Sequence, residues 1–225
     1  MTSRSADQLT ARVLRDRKDR ENDGYPQNLS LRVHRTISWI GRAEMAHDDP
    51  DIAFACYWIA FNAAYAEDTE GSVEIRERDL IGGYFTKILK LDIERAIYEA
   101  IWDRFSGPVR LILKNRYVYQ PFWKHVNGVE GYGDWEAWFE REQAHIGRAL
   151  AQQETRLVLN LLFDRLYVLR NQIMHGGSTW NGSVNRSQVR DGAAIMGFLV
   201  PTFVQVMMDH PEEPWGTNYY PVQDR

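Results

Sequence analysis

The apolar residues of this chain recur at helical spacing over most of its length, and no run of residues alternates as a half-buried strand does. The clearest case is the segment 149–177, which contains no Pro or Gly before its closing Gly176-Gly177 pair. Because glycine takes the left-handed cap conformation at little cost, we predict that one helix fills this segment and ends at the glycines. The apolar stripe of this helix consists of Val158, Leu162, Leu166, Leu169 and Ile173.

The same periodicity predicts helices on both sides of this segment. A turn of Asp and Pro at 48–51 separates an amphipathic helix, with Leu29, Val33, Ile37 and Ile40 as its buried positions, from a second helix that is apolar nearly all round and therefore belongs in a core. The same turn is expected to cap the second helix at its N-terminus. We predict no strand, and the fold class is all-α. The predicted helices cover about 28–47, 52–66, 84–104, 109–115, 188–209 with a kink at Pro201, and a helix from about 134 that continues into 149–177.

The segments between and beyond these helices set the expected domain organisation. Residues 1–27 form a charged N-terminal arm or solvated helix, and residues 211–225 form an irregular tail. One helical domain is expected over 28–210, because 225 residues suit a single large domain. The polar loop 178–187 contains turn formers, whereas 117–135 is rich in aromatic residues and glycine and is predicted to be an ordered loop. Its aromatic side chains either stack on bases or seal a helix bundle.

Composition excludes several classes of protein. A hydrophobic fraction of 44% supplies a core, and a net charge of -4 argues against a broad basic surface that grips duplex nucleic acid. Of the 27 basic residues 22 are Arg, which leaves room for local anion sites, although Arg richness can also be a matter of composition alone. Cys56 is the only cysteine, so neither an internal disulfide nor a cysteine cage for a metal can form.

No cofactor, metal or membrane is expected as a partner of this chain. The N-terminal residues lack the apolar core of a signal peptide, and the longest apolar run, 193–208, is too short to span a bilayer. Phosphate-binding loops, metalloprotease motifs and nucleophile elbows are also missing from the sequence. We therefore expect a soluble, cytoplasmic protein.

Candidate chemistry lies in the last turn of the 149–177 helix, which reads Arg170-Asn171-Gln172-Ile173-Met174-His175. On an ideal helix Asn171 and His175 share a face with Tyr167, roughly opposite the apolar stripe. The same spacing of Arg and His occurs once more, at Arg42 and His47, but on an ordinary amphipathic helix without the following Asn or the closing glycines. We interpret that second pair as part of a solvated face.

The sequence RNQIMHGG, with an apolar helix before it and a small polar loop after it, resembles the R-N-x-x-x-H motif of the HEPN superfamily of helical ribonucleases and nucleotide-binding domains. The segment YWIAFNAAY, residues 57–65, is similar to the first core helix of one branch of that superfamily, which carries Trp and Phe-Asn there. The resemblance implies an up-and-down bundle of four or five helices, with additional N- and C-terminal elements. It also implies a homodimer that brings two copies of the motif together.

The function implied by the resemblance is metal-independent cleavage of RNA by attack of the 2′-hydroxyl on the adjacent phosphate, in a toxin, phage-defence or stress role. Arg170 and His175 would be the catalytic pair and Asn171 would orient them, with Trp58, Asn62 and Tyr167 as substrate-binding candidates. An antitoxin or regulatory protein is a further expected partner. Some toxins of this family carry a Tyr two residues after the His, where a nucleotidyl group is added; this chain has Gly177 there, which argues against that form of neutralisation.

The chemistry of the residues agrees with this function. Transesterification needs a group that transfers protons near neutral pH, which His can do, and a charge that stabilises the phosphorane, which the Arg fork supplies. Arg170 and His175 lie about 140° apart on an ideal helix, so their side chains do not converge within it. Either the helix end unwinds or a second subunit completes the site, and a two-fold dimer is the simpler solution.

Two other interpretations remain open at this point. In the first, the motif is only a helix cap, in which Arg and His bind the last carbonyls of the helix. In the second, it belongs to a non-catalytic module that binds RNA, a nucleotide or a protein. Asn62 likewise is either a satisfied core amide or a neighbour of the functional site.

Overall fold

The computed structural model describes residues 9–67, 77–183, 185–218 and 220, and over these residues the fold is all-α, as predicted. Pairing of extended backbone in this part of the chain is limited to one isolated antiparallel bridge between Glu67 and Asn218. The chain divides into two compact units, Met1–Ile97 with Ala193–Arg225, and Tyr98–Gly192. The helices are α1 (Ala11–Glu21), α2 (Gln27–Glu44), α3 (Pro50–Tyr65), α4 (Glu77–Leu91), α5 (Ala96–Glu99, followed by a π turn at Ala100–Arg104), α6 (Ser106–Lys114), α7 (Gln120–Val126), α8 (Trp135–Ala151), α9 (Thr155–Met174) and α10 (Arg186–Asp209).

The division into units does not follow the expected boundaries at residues 27 and 210, because both terminal segments belong to the first unit. Helix α1, expected as a charged arm, buries Ala11 and Leu14, and its Ala11 N–H donates to Glu44 Oε1 at the end of α2 (2.7 Å). At the other end, Trp215 in the expected tail is buried. In the described part of the arm, the charged residues therefore belong to a docked helix, and one of them, Arg17, forms an ion pair with Asp209 at the end of α10 (2.7 Å).

The core of the first unit forms around α3, which is buried along almost its whole length as its composition predicts. Asp49 caps the helix by accepting hydrogen bonds from the N–H groups of Asp51 and Ile52. Phe61 lies at the centre of an aromatic cluster, with ring centroids 4.6 Å from Tyr65, 5.9 Å from Phe85 and 6.1 Å from Phe203. The apolar positions predicted for α2, namely Leu29, Val33, Ile37 and Ile40, are all buried.

In the second unit, α9 packs with α6, α8 and the short 3-10 turn at Arg116–Val118. The prediction of one unbroken helix into the 149–177 segment is wrong, since α8 ends at Ala151 and α9 begins at Thr155. Gln153 adopts a positive φ of 53°, and the Glu154 N–H donates to the Ala149 carbonyl (2.9 Å), which closes α8 as a glycine would. No proline or glycine marks this break in the sequence.

The aromatic segment 117–135 was predicted to be a loop, but Gln120–Val126 forms helix α7. Most of its aromatic rings pack on one another or on α8. Phe122 contacts Trp135 with ring centroids 5.0 Å apart, and Tyr119 contacts Phe139 at 5.1 Å. These four rings therefore pack against each other, as expected if the segment seals a helix bundle.

Helix α10 is the described helix that is long and apolar enough to cross a membrane by length and composition. Of its apolar window 67% is buried, which is the pattern of a core helix in a soluble protein. Pro201 lies within this helix, and the helix runs from residue 186 to residue 209 without interruption.

Candidate functional site

The predicted motif lies where α9 ends. Val158, Leu162, Leu166 and Leu169 are each no more than 1% exposed, so four of the five predicted stripe residues anchor the helix in the second unit. The fifth, Ile173 in the last turn, is only half-buried. The helix remains regular to Met174, and His175 is its C-cap, with its N–H donating to the Asn171 carbonyl (3.0 Å). Gly176 follows at a φ of +70°, the left-handed conformation predicted for the cap.

Arg170 is held in place by its neighbours on α9. Its Nη1 donates to Asn171 Oδ1 at 2.8 Å, and its guanidinium carbon lies 5.9 Å from the centroid of the Tyr167 ring. The Nε atom is buried and makes no hydrogen bond with the described residues. Within that part of the chain, no carboxylate pairs with Arg170. The guanidinium therefore has a fixed orientation, and its positive charge is not neutralised.

His175 has a different environment. Its side chain is exposed, and among the residues that the structure describes its imidazole makes no hydrogen bond. Because α9 does not unwind before this residue, the helix itself does not bring the imidazole and the Arg170 guanidinium together. The structure therefore joins Arg170, Asn171 and Tyr167 into one group and leaves His175 facing solvent beside it.

Trp58 and Asn62, the two other predicted site residues, belong to α3 in the first unit. Trp58 is 2% exposed and contacts Phe54 and Phe61, so its ring is part of the core. Asn62 Oδ1 is buried without a hydrogen-bond partner in the described part of the chain. The interpretation of Asn62 as a satisfied core amide therefore does not hold for this oxygen, and a substrate-binding role for either residue stays a prediction.

Sequence reasoning missed a hydrogen-bonded group beside the motif. The backbone carbonyl of Tyr117 accepts from Trp123 Nε1 at 2.8 Å and from Gln172 Nε2 at 2.7 Å. Gln172 Oε1 in turn accepts from Asn185 Nδ2 at 3.1 Å. These bonds tie the 3-10 turn, α7 and the loop before α10 to the motif turn of α9. Every residue has a backbone carbonyl, so the sequence gives no sign that the one of Tyr117 accepts these bonds. Gln172 was the only part of the group that lay inside the predicted motif.

Two recesses open on this group. The larger is a cleft of about 1000 Å³ whose wall includes Tyr117, Trp123, Gln172 and Asn185. The smaller, of about 280 Å³, is lined by Asn171 of the motif, by Lys124 and again by Trp123 and Gln172. Arg170 and His175 line neither recess. The motif turn thus has concave surface next to it, reached through Asn171 and Gln172.

A buried ion pair supports α9 from within the second unit. Arg165 is 3% exposed, donates to Glu142 Oε2 on α8 (2.8 Å) and lies over the Tyr119 ring at 4.6 Å. Burial raises the pKa of the Tyr119 hydroxyl above its usual value. This arrangement fixes the middle of α9 without involving the motif.

Comparison of the chain with family models, with curated proteins and with solved structures finds no significant match. Among the described residues no three His, Cys, Asp or Glu side chains are grouped so that they could hold a metal ion. The interpretation of this site therefore depends on its own residues and geometry.

Proposed function

We propose that this protein is a metal-independent endoribonuclease of the HEPN type, with Arg170 and His175 as its catalytic pair. The observation that carries the proposal is the state of Arg170, five residues before the exposed His175: its guanidinium is oriented by Asn171, and no carboxylate of the described residues neutralises it. An oriented, unneutralised guanidinium suits a dianionic phosphorane, whose charge grows in the transition state.

The reaction would proceed by transesterification. The 2′-oxygen of one ribose forms a bond to the adjacent phosphorus while the bond from phosphorus to the 5′-oxygen breaks. The imidazole of His175 accepts the proton of the 2′-hydroxyl and, as the imidazolium, passes it on to the departing 5′-oxygen. The products are a 2′,3′-cyclic phosphate and a 5′-hydroxyl, and Asn171 is a positioning residue that acts through Arg170.

A homodimer completes this site in the proposal. Since α9 stays helical through Met174, Arg170 of one subunit and His175 of the same subunit diverge, and a two-fold axis through the motif turns would pair each Arg with the His of the other subunit. RNA is the proposed substrate, and a toxin, phage-defence or stress role with a cognate antitoxin or regulator is the proposed setting.

The first test compares purified wild type, His175→Ala and Arg170→Ala on a mixed RNA pool in EDTA, with analysis of the product ends. We expect cleavage by wild type that leaves 2′,3′-cyclic phosphates, and a loss of about 10²- to 10⁴-fold in each variant. The chain provides a matched control at Arg42 and His47, which have the same spacing and are both exposed; Arg42 lies in α2 and His47 in the turn that follows it. Alanine at either control position should leave cleavage unchanged.

Mixing Arg170→Ala with His175→Ala tests the dimeric site directly. If each site takes its Arg and its His from different subunits, half of the mixed dimers carry one intact site, and about a quarter of the wild-type activity returns. If each subunit forms its own site, no activity returns. Absence of cleavage by wild type, together with RNA binding, would instead identify a non-catalytic module.

A further inference from the structure

Among the described residues, the lining of the larger cleft beside the motif carries no formal charge. It consists of aromatic, amide, hydroxyl and glycine residues, with Tyr117 and Trp123 as the rings and Gln172 and Asn185 among the amides. Arg116 lies outside this lining, where it donates to the Tyr117 hydroxyl (3.2 Å). A surface of flat rings and neutral donors and acceptors matches a flat, uncharged heterocycle with polar edges. It does not match an isolated anion, which requires a cation or several N–H donors.

The amide of Gln172 in this wall has a defined orientation. Its Nε2 must face the Tyr117 carbonyl, which can only accept, and its Oε1 receives the Asn185 Nδ2 donor. Each end of the amide keeps one further bonding position, namely the second N–H and the second lone pair. A fixed donor and acceptor is the device by which Gln and Asn side chains recognise base edges.

Trp123 lines both this cleft and the smaller recess, as Gln172 does. Its indole N–H is bonded to the Tyr117 carbonyl, which fixes the plane of the ring. The smaller recess is also lined by Lys124, whose ammonium group makes no ion pair with the described residues, and by Asn171 of the motif. One oriented indole is thus shared by the larger cleft and by a recess that contains a cation.

We propose that this cleft is the nucleobase subsite of the ribonuclease: one unpaired base of single-stranded RNA stacks on Trp123 and is read by Gln172, while its phosphate is bound by Lys124. The inference depends on the proposed function for the identity of the ligand as RNA. Its consequence is that the enzyme takes unpaired RNA, since a base enters the cleft only when it is free of a partner strand. The net charge of -4 fits this mode, which needs one local cation and no broad basic surface.

Binding of two oligomers distinguishes the base from the backbone. Fluorescence anisotropy is measured with a short 2′-O-methyl oligoribonucleotide, which lacks the attacking hydroxyl, and with the same oligomer made abasic. For the base-bearing oligomer, Trp123→Leu should weaken binding by about 5- to 150-fold, as expected for the loss of one base–aromatic stack. The abasic oligomer should bind to wild type and to Trp123→Leu equally.

Two further variants serve as controls for this measurement. Trp138→Leu removes a partly exposed ring of α8 that lines neither recess, and it should bind both oligomers as wild type does. Lys124→Gln should weaken the binding of both oligomers by the same factor. It should also make the salt dependence of binding less steep, by about 0.7 in the slope of log K against log salt. Circular dichroism of each variant checks that it is folded.

The outcomes separate this inference from the proposed function. If Trp123→Leu weakens the binding of both oligomers equally, or of neither, the base subsite is wrong even if wild type cleaves RNA. If wild type does not bind the base-bearing oligomer at all, the base subsite is also wrong, and a peptide or a carbohydrate would be the ligand class to test next. If wild type cleaves nothing but binds the base-bearing oligomer through Trp123, the cleavage proposal fails and the base subsite stands.

Discussion

Helices α3 and α9 end in opposite ways, although each organises the unit to which it belongs. The last carbonyls of α3 are closed by a buried side chain from α2: Arg32 Nη1 donates to the carbonyls of Ala64 (3.0 Å) and Ala66 (2.8 Å). Arg32 is 1% exposed, and burial lowers the pKa of its guanidinium below the usual value. The arginine of the α9 motif instead bonds to a side-chain amide and leaves the carbonyls to the backbone cap.

The difference distinguishes an arginine that stabilises a fold from one that is available to a ligand. The last four carbonyls of any helix lack partners within it, and a cation there satisfies them and complements the helix dipole. Arg32 uses its donors in this way, and a further bond from Nη2 reaches the Thr217 carbonyl (3.2 Å). The capping interpretation of the Arg170 motif would require the same pattern, and the bonds of Arg170 do not have it.

The largest effect should follow from replacing Arg32 by Met, which keeps the length of the side chain but removes its donors. The buried carbonyls at the end of α3 would lose their partner, and we expect the free energy of unfolding to fall by about 3 kcal/mol. Urea unfolding measures this change. Arg42→Met, at an exposed position on the same helix, should change the free energy by no more than about 0.5 kcal/mol.

Arg170→Met tests the same comparison at the end of α9. Because no carbonyl depends on Arg170, we expect a loss of less than about 1 kcal/mol in the same urea experiment. A loss as large as that of Arg32→Met would mean that Arg170 is a structural cap after all, and the contrast between the two helix ends would disappear.

A smaller effect is expected at Gly176, where the backbone of the α9 cap is left-handed at a φ of +70°. Alanine there should lower the free energy of unfolding by about 1 kcal/mol, because a Cβ atom disfavours this conformation. Gly147→Ala is the matched control: Gly147 lies inside α8 with nothing within 4 Å of an added Cβ, so alanine should raise the stability by about 0.5–1 kcal/mol. If both variants respond alike, the positive φ is not what closes α9.

The parts of the fold that the sequence predicted are those set by periodicity and caps within one segment. The stripe of α9, the apolar character of α3, the Asp49 cap and the Gly176 cap each depend on residues within a few positions of one another. Patterns of this kind determine the helix type and the buried face directly. All-α architecture followed from them.

The break between α8 and α9 was missed because its causes are tertiary. Gln153 holds its positive φ while its Oε1 accepts from the Tyr98 hydroxyl (2.7 Å), and the adjacent Thr155 Oγ1 accepts from Trp102 Nε1 (2.9 Å). Neither partner is near in sequence, and glutamine has no preference for such a turn. The same reason explains why the cleft was missed, since two of its lining residues, Trp123 and Gln172, are held by the backbone carbonyl of Tyr117.

The smallest predicted effect at neutral pH concerns Tyr57, on the buried side of α3. Its ring lies close to α10, where a Cβ at Gly197 would come within 3.0 Å of it, and burial raises the pKa of its hydroxyl to about 12. The unfolded chain ionises this tyrosine near pH 10. Between about pH 10 and pH 12 the unfolded state therefore loses a proton that the folded state keeps, and stability should fall with rising pH.

Tyr57→Phe should remove this part of the alkaline decline and change little at pH 8. The measurement is the free energy of unfolding in urea at pH 8 and at pH 11 for both proteins. A residual decline is expected in the variant, because burial also raises the pKa of Tyr84. An identical decline in wild type and Tyr57→Phe would show that the Tyr57 hydroxyl is hydrated in the folded state, and that this side of α3 is as open to water as the motif turn of α9.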